Sequence, residues 1–149
     1  ANFVFYWSGD ASRIWMQQLL LGEVEKEWKV SIGYKLKDYI LTEGIEKCKE
    51  VYFQIAKEDS IYWCEPKFLD ELGYSLLWRG HEKAALDIFQ FAVELEPDNA
   101  TWNESVGEAY LALGEKENAI EWYEKAVELN PKQEYSKAKL MELVTKERR

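Results

Sequence analysis

Apolar residues in the second half of the chain recur three or four positions apart, the spacing at which side chains share one face of an α-helix. Leu69, Leu72 and Leu76 define one such face, and Ala85 and Phe89 begin another. Polar and charged residues fill the positions between them, and a glycine separates the two segments. The pattern therefore predicts two amphipathic helices joined by a short turn.

The same pattern returns after a shift of 34 residues. Six positions then coincide, pairing Gly73 with Gly107, Gly80 with Gly114, Ala85 with Ala119, Phe89 with Tyr123, Ala92 with Ala126 and Pro97 with Pro131. The first glycine of each repeat lets the partner helix approach closely, and the second takes the left-handed cap that ends the first helix. Proline ends the second helix because it cannot continue the hydrogen-bond ladder. We therefore predict two helix–turn–helix repeats.

These residues resemble the signature of the tetratricopeptide-repeat (TPR) family. The departure is the aromatic residue of the first helix, which is Leu69 in one repeat and Asn103 beside Trp102 in the other. The resemblance implies an all-α fold, a right-handed helical solenoid of antiparallel helix pairs, with repeats at 66–99 and 100–133.

The segments next to the repeats are also predicted to be helical. Residues 134–149 form an amphipathic capping helix, because the last apolar face of a solenoid needs a cover with a polar outside. Its apolar residues are Leu140, Leu143 and Val144. Residues 23–65 form a degenerate TPR-like hairpin, with helices at Ser31–Thr42 and Gly44–Lys57, followed by a linker.

Residues 1–22 do not fit a helical array. Asn2–Trp7 is β-rich, Ser8–Asp10 is a turn, and Ala11–Leu21 is a short helix. A lone strand leaves its backbone groups without a ladder. Its partner comes from a second copy of the chain, giving a homo-oligomer through residues 1–22, or from an upstream domain, or the segment is simply extended.

A looser resemblance extends from Ser31 onward and rests on phrases such as LGYSLL and ESVGEAYLALG. These phrases resemble the C-terminal TPR tail of some bacterial serine hydrolases, of the β-lactamase or penicillin-binding type, and of some esterases. The resemblance implies that residues 1–22 close a catalytic domain lying outside this chain. The chain would then be a non-catalytic appendage or an oligomerisation domain.

Charge and cysteine content narrow the classes of partner and compartment. The formal net charge is −9, which repels phosphate backbones and anionic lipid, so nucleic acid and membrane surfaces are excluded as partners. No apolar run is long enough to span a bilayer. Two cysteines make no disulfide framework, which fits a cytoplasmic protein with thiols, although a single bridge is also compatible.

No residue pattern in the chain indicates catalysis. Ser136-Lys137-Ala138-Lys139 matches the S-x-x-K pattern of serine β-lactamases, but the companion motifs S-D-N and K-T-G are missing. We interpret that match as accidental and its Ser and Lys as solvent-facing. His81 is the single histidine, which excludes a histidine-based zinc site of several ligands. The sequence predicts no enzyme activity, no cofactor and no metal.

The TPR resemblance implies a concave groove lined by the first helices of successive repeats. Carried over by position, the groove residues are Lys67, Asp70, Glu71, Tyr74, Leu77, Thr101, Glu104, Ser105, Glu108 and Leu111. One TPR subclass grips the terminal carboxylate of chaperones with Lys, Asn and Arg, where this chain has Asp70, Tyr74 and Glu104. We therefore expect a protein or peptide ligand that is basic, aromatic or apolar. The alternative is a groove that is merely solvated.

Overall fold

The computed structural model describes residues 30–57 and 62–147. Within them the fold is all-α apart from two strands of two residues each, as the sequence predicts. The predicted strand, turn and helix of residues 1–22, and the oligomer contact assigned to them, lie outside the described residues.

Seven helices follow one another with short connections. They are α1 (Ile32–Thr42), α2 (Ile45–Lys57), α3 (Lys67–Leu77), α4 (Glu82–Leu95), α5 (Ala100–Ala112), α6 (Lys116–Leu129) and α7 (Glu134–Glu147). Helices α1 and α2, α3 and α4, and α5 and α6 pack as antiparallel hairpins, and α7 packs against α6. The first helices α1, α3 and α5 also contact one another in turn.

A short parallel pairing was not foreseen from the sequence. Strand β1 (Val30–Ser31) pairs with β2 (Tyr62–Trp63), with Val30 opposite Tyr62 and Ser31 opposite Trp63. It joins the start of α1 to the linker before α3. The Tyr52 hydroxyl fixes the same linker from α2 by donating to the Cys64 carbonyl at 2.7 Å.

Glycines end the first helix of each hairpin. Gly80 and Gly114 have φ of 76° and 79°, which confirms their predicted left-handed caps. Gly44 has a φ of 82° between α1 and α2. This hairpin therefore ends its first helix as the two clear repeats do. At the other end of a repeat, the Asn99 side chain accepts a hydrogen bond from the backbone N–H of Thr101 at 3.0 Å and caps the start of α5.

The predicted close approaches occur at both remaining repeat glycines. A Cβ built on Gly73 would lie 2.2 Å from Cε1 of Phe89, and one built on Gly107 would lie 3.2 Å from Cε1 of Tyr123. Both rings are fully buried. The second helix of each repeat therefore lays an aromatic ring on the bare backbone of the first.

The buried apolar residues form two clusters. The larger cluster runs from α1 to α5, whereas the smaller contains Ala119, Tyr123 and Leu143 and holds α7. In α7, Leu143 is buried, but Val144 is exposed, so the predicted apolar stripe is narrower than expected. Polar contacts to α5, described below, add to the attachment of α7.

A candidate peptide-binding groove

The predicted groove residues lie on α3 and α5 and differ widely in exposure. Asp70, Tyr74, Leu77, Glu104, Glu108 and Leu111 are partly buried, whereas Lys67, Glu71 and Thr101 are exposed. Ser105 is fully buried. It therefore lies beneath the groove surface and contributes to the groove only through the side chains that it contacts.

Four of the predicted residues meet between α3 and α5. Ser105 Oγ donates to Asp70 Oδ1 at 2.9 Å, and the Tyr74 hydroxyl donates to Glu108 Oε2 at 2.5 Å. The Tyr74 and Ser105 hydroxyls lie 3.3 Å apart. The stacking of successive repeats thus brings together side chains that are more than thirty residues apart in sequence.

Helix α7 and the turn before it complete the network. The Tyr135 hydroxyl donates to Glu108 Oε1, and Ser136 Oγ donates to Glu104 Oε2. Gln133 Nε2 donates to the same oxygen of Glu104 at 3.0 Å. The prediction that Ser136 faces solvent is wrong, because its side chain is fully buried under this contact.

Residues of α7 were absent from the predicted groove, although the repeat contains a signal for one of them. Applying the 34-residue shift once more places Tyr135 at the position of Thr101 and Lys67, both predicted groove residues. Helix α7 therefore occupies the place of another first helix. Since it was interpreted only as a cap, its polar side chains were overlooked.

The other predicted residues have different partners. Lys67 forms an ion pair with Glu65 at 2.6 Å, and its Nζ lies 4.9 Å from the centre of the Phe68 ring. Thr101 contributes its backbone N–H to the α5 cap. The ion pair of Lys67 is therefore with a residue outside the predicted groove.

The carboxylates of the network accept hydrogen bonds from uncharged groups. No lysine or arginine in the described ranges forms an ion pair with Asp70, Glu104 or Glu108. Burial raises the pKa of Asp70, and the charges of Glu108, Glu71 and Glu104 raise it further, against the hydrogen bond from Ser105. The groove thus concentrates negative charge.

The tyrosines around these carboxylates are held in the neutral form. Burial raises the pKa of Tyr74, and its hydrogen bond to Glu108 adds to the shift. Burial likewise raises the pKa of Tyr135, again helped by the bond to Glu108. A neutral phenol remains a donor, so both tyrosines hold the Glu108 carboxylate in place over the whole neutral pH range.

Tyr123 lies on α6. Its side chain is fully buried, and its hydroxyl has no hydrogen-bond partner among the described residues. Burial raises its pKa first, and the charges of Glu108 and Glu104 and the Tyr135 and Tyr74 groups raise it further. Its ring packs against Gly107 of α5, the helix that carries both glutamates.

The described residues contain neither a candidate metal site nor a candidate membrane-spanning helix. Their histidine, cysteine, aspartate and glutamate side chains form no group of three placed to hold a metal ion. Among the described helices, none has both the length and the apolar character that crossing a bilayer requires.

Comparison with known families decides the class of the repeats. The profile described as tetratricopeptide repeat matches residues 71–134. This segment belongs to the TPR family. It is a helical module of the kind used for protein interactions, and TPR domains are typically non-catalytic scaffolds. No curated protein sequence matches the chain.

Solved TPR structures share the fold. The first TPR domain of human RPAP3 has a TM-score of 0.53 and 17% identity, covering 76% of this chain and 87% of that one. The first TPR of Spaghetti (RPAP3), bound to the HSP90 peptide SRMEEVD, has a TM-score of 0.55 and 18% identity, covering 79% and 91%. MamA MSR-1 has a TM-score of 0.50 and 18% identity, covering 91% and 78%. Identities this low establish a common fold only.

The looser resemblance to the tail of bacterial serine hydrolases finds no support in these comparisons. The matches are to TPR domains. The hypothesis of an appendage or oligomerisation domain depends on residues 1–22, which lie outside the described residues, and it stays a prediction.

Proposed function

We propose that this chain binds a basic segment of a partner protein in the groove formed by α3, α5 and α7. The observation that carries the proposal is the set of carboxylates Asp70, Glu104 and Glu108, partly buried on adjacent helices and hydrogen-bonded by neutral groups. Charge that is partly removed from water interacts more strongly with an opposite charge than charge in bulk solvent does. A cationic ligand supplies that opposite charge.

The preferred ligand differs from the peptide in the Spaghetti complex. That peptide, SRMEEVD, carries three acidic side chains and one basic one. In this chain the groove carries Asp70, Glu71, Glu104 and Glu108, and the clamp residues Lys, Asn and Arg are replaced by Asp70, Tyr74 and Glu104. The acidic groove would repel an acidic tail, whereas a lysine- or arginine-rich segment would be attracted to it.

The aromatic side chains of the groove also suit a basic ligand. Tyr135 is 46% exposed, and Tyr74 is partly buried beside it on the Glu108 carboxylate. An aromatic face attracts lysine and arginine side chains. The groove thus offers both carboxylates and aromatic rings to the same class of ligand.

The test compares labelled hexalysine with labelled hexaglutamate by fluorescence anisotropy, using the full chain. We expect hexalysine to bind and hexaglutamate to remain unbound. Replacing Glu71 and Glu108 together by Gln removes two groove charges and should weaken hexalysine binding by about tenfold.

The matched control removes two charges elsewhere. Glu121 and Glu124 are exposed on α6, and their joint replacement by Gln gives the same net charge as the groove variant. We expect this control to change hexalysine affinity by no more than about twofold. Failure of hexalysine to bind, or equal weakening by both double variants, would refute the proposal.

A further inference from the structure

We propose that copies of this chain associate head to tail, with Trp78 of one copy seated in a cleft between α4 and α6 of the next. The cleft lies at the C-terminal ends of these two helices. Trp78 lies at the other end of α4, in the turn that follows α3. The contact involves neither the groove carboxylates nor residues 1–22, so it is a second interaction beyond the binding of a basic segment.

The cleft has apolar walls and the size of a small ligand site. Its volume is about 350 Å³, at the lower end of the range for ligand pockets. The walls come from α4, α6 and the residue chain after α4, and consist of Val93, Pro97, Trp122 and Leu129. Leu129 is exposed and Trp122 is only partly buried. An aromatic ring entering the cleft would therefore remove apolar surface of both partners from water.

A buried amide oxygen gives the cleft one specific acceptor. Asn103 lines the cleft and is only 2% exposed. Its Nδ2 donates to the carbonyls of Pro97 at 3.2 Å and Asn99 at 2.9 Å, which uses both amide hydrogens and fixes the orientation of the amide.

The Oδ1 atom of Asn103 remains available to a ligand. No described group donates to it, and within the described ranges the Tyr123 hydroxyl is the one fully enclosed side-chain polar atom without a partner. Oδ1 is therefore not enclosed, and it keeps access to the cleft that its residue lines. An indole N–H is a single donor with no acceptor, so a tryptophan side chain matches an apolar cleft with one acceptor.

The preceding repeat shows which chemistry fills the same face. The 34-residue shift relates Lys125, which lines the cleft, to Phe91. Phe91 packs edge-on against Tyr52 and Phe53 of α2, with ring centres 5.2 and 5.8 Å apart. Lys125 is instead exposed, with its Nζ 4.0 Å from the centre of the Trp122 ring. A flexible side chain that can swing into solvent thus replaces an aromatic ring, and an incoming ring would restore the aromatic packing.

The charges beside the two surfaces are complementary. One repeat earlier, Glu94 pairs with Lys49 of α2 at 2.6 Å. Its counterpart Glu128 is exposed at the cleft and forms no ion pair with a described residue. Arg79 directly follows Trp78, is exposed, and has no ion pair in the same part of the chain. The pair Trp78–Arg79 therefore offers the ring and the cation that α2 supplies one repeat earlier.

The position of Trp78 requires that the occupant be a second copy. Trp78 is 86% exposed, more than any other large apolar side chain of the described residues. It cannot enter the cleft of its own chain, because α4 separates the two and its 14 residues span about 20 Å. Since ring and cleft lie at opposite ends of α4, each bound copy keeps one surface free. Such a heterologous contact does not close at the dimer.

Sedimentation equilibrium of the full chain tests the contact over a concentration series that reaches about 1 mM, because an interface with one aromatic anchor is weak. We expect the weight-average mass to rise beyond that of a dimer. Trp78→Ser should weaken the association at least about tenfold. The matched control Tyr34→Ser removes an aromatic side chain that is 63% exposed on α1, and it should leave the association unchanged.

Mixing two defective variants tests the head-to-tail arrangement directly. Leu129→Glu places a charge on the cleft wall and keeps Trp78, whereas Trp78→Ser keeps the cleft. Both positions are exposed, so circular dichroism should show the helix content of the wild type. We expect each variant alone to remain monomeric and an equimolar mixture to form a one-to-one complex, because one variant contributes the ring and the other the cleft.

Several results would overturn the proposal. A wild type that stays monomeric at every concentration excludes the contact, and an association that stops at the dimer excludes its open arrangement. Association that survives Trp78→Ser, or that Tyr34→Ser weakens equally, places the interface elsewhere, residues 1–22 included. A mixture of the two variants that forms no complex shows that Trp78 and the cleft are not partners.

Discussion

Replacing Gly73 by Ala tests the close packing of α3 against α4. The new Cβ would lie 2.2, 2.5 and 2.7 Å from three ring atoms of Phe89, whereas ordinary contact begins at 3.4 Å. The ring or the helix must therefore retreat by about 1 Å. Phe89 is fully buried and packs edge-on against Tyr74, with ring centres 5.2 Å apart, so the ring has little room to move.

The magnitude follows from two opposing effects. Overpacking of a filled core costs about 1–3 kcal/mol, and the short contacts here place Gly73→Ala at or above the upper end. Alanine in a helix is about 1 kcal/mol more favourable than glycine. We therefore expect Gly73→Ala to lower the free energy of unfolding by about 2 kcal/mol.

Gly107→Ala is the matched comparison in the next repeat. Its Cβ would lie 3.2 to 3.3 Å from atoms of the Tyr123 ring, so the ring needs to move by only a few tenths of an ångström. The gain in helix propensity then offsets most of the strain, and we expect a net change within about 0.5 kcal/mol.

Urea unfolding followed by far-UV circular dichroism measures both variants. The double variant Gly73→Ala with Phe89→Leu should cost less than the sum of the two single changes, because the leucine removes the ring atoms that clash. Equal effects at Gly73 and Gly107, or additive effects at Gly73 and Phe89, would refute the packing explanation.

Two further predictions concern titrating groups. Burial raises the pKa of Asp70 in the folded protein. The protonated carboxyl therefore favours the folded state at low pH, and this contribution to the free energy of unfolding is lost as pH rises through the folded pKa. Asp70→Asn, which carries no charge, should be more stable than the wild type at neutral pH. In urea unfolding at several pH values this advantage should vanish below the ordinary pKa of 3.8, and an advantage persisting there would contradict the explanation. Tyr52→Phe should cost about 1–2 kcal/mol, because it removes the hydrogen bond from the Tyr52 hydroxyl to the Cys64 carbonyl. Burial raises the pKa of Tyr52 to about 12, so the wild type loses this stability as pH rises from 10.0 towards 12, and phenolate absorbance should show one fewer late-titrating tyrosine in the variant.

Much of the backbone architecture was predictable because its causes are local. Gly80 and Gly114 end helices since a left-handed cap costs glycine least, and Asn99 begins one since its side chain accepts a nearby N–H. The same turn and packing residues recur 34 positions later, and this recurrence supported the prediction of antiparallel hairpins. The pairing of β1 with β2 was missed, because two residues are too few to produce an alternating pattern.

The groove shows where sequence reasoning stops. The TPR resemblance assigned Asp70, Tyr74, Ser105 and Glu108 to the groove surface, yet the side chain of Ser105 is fully buried. Periodicity identifies which side of a helix faces the protein, but the depth of each side chain depends on how closely the next helix approaches.

The sequence by itself determined the repeat, its turns and the negative charge of the first-helix face. Tertiary structure alone decided that Tyr135 and Ser136 bind the carboxylates of α5, and that the Tyr123 hydroxyl is buried with no hydrogen-bond partner among the described residues. The physical reason is that a hydrogen bond between helices requires donor and acceptor to meet within about 3 Å, a distance set by the packing of whole repeats. Local patterns therefore specify the helices, and their packing specifies the site.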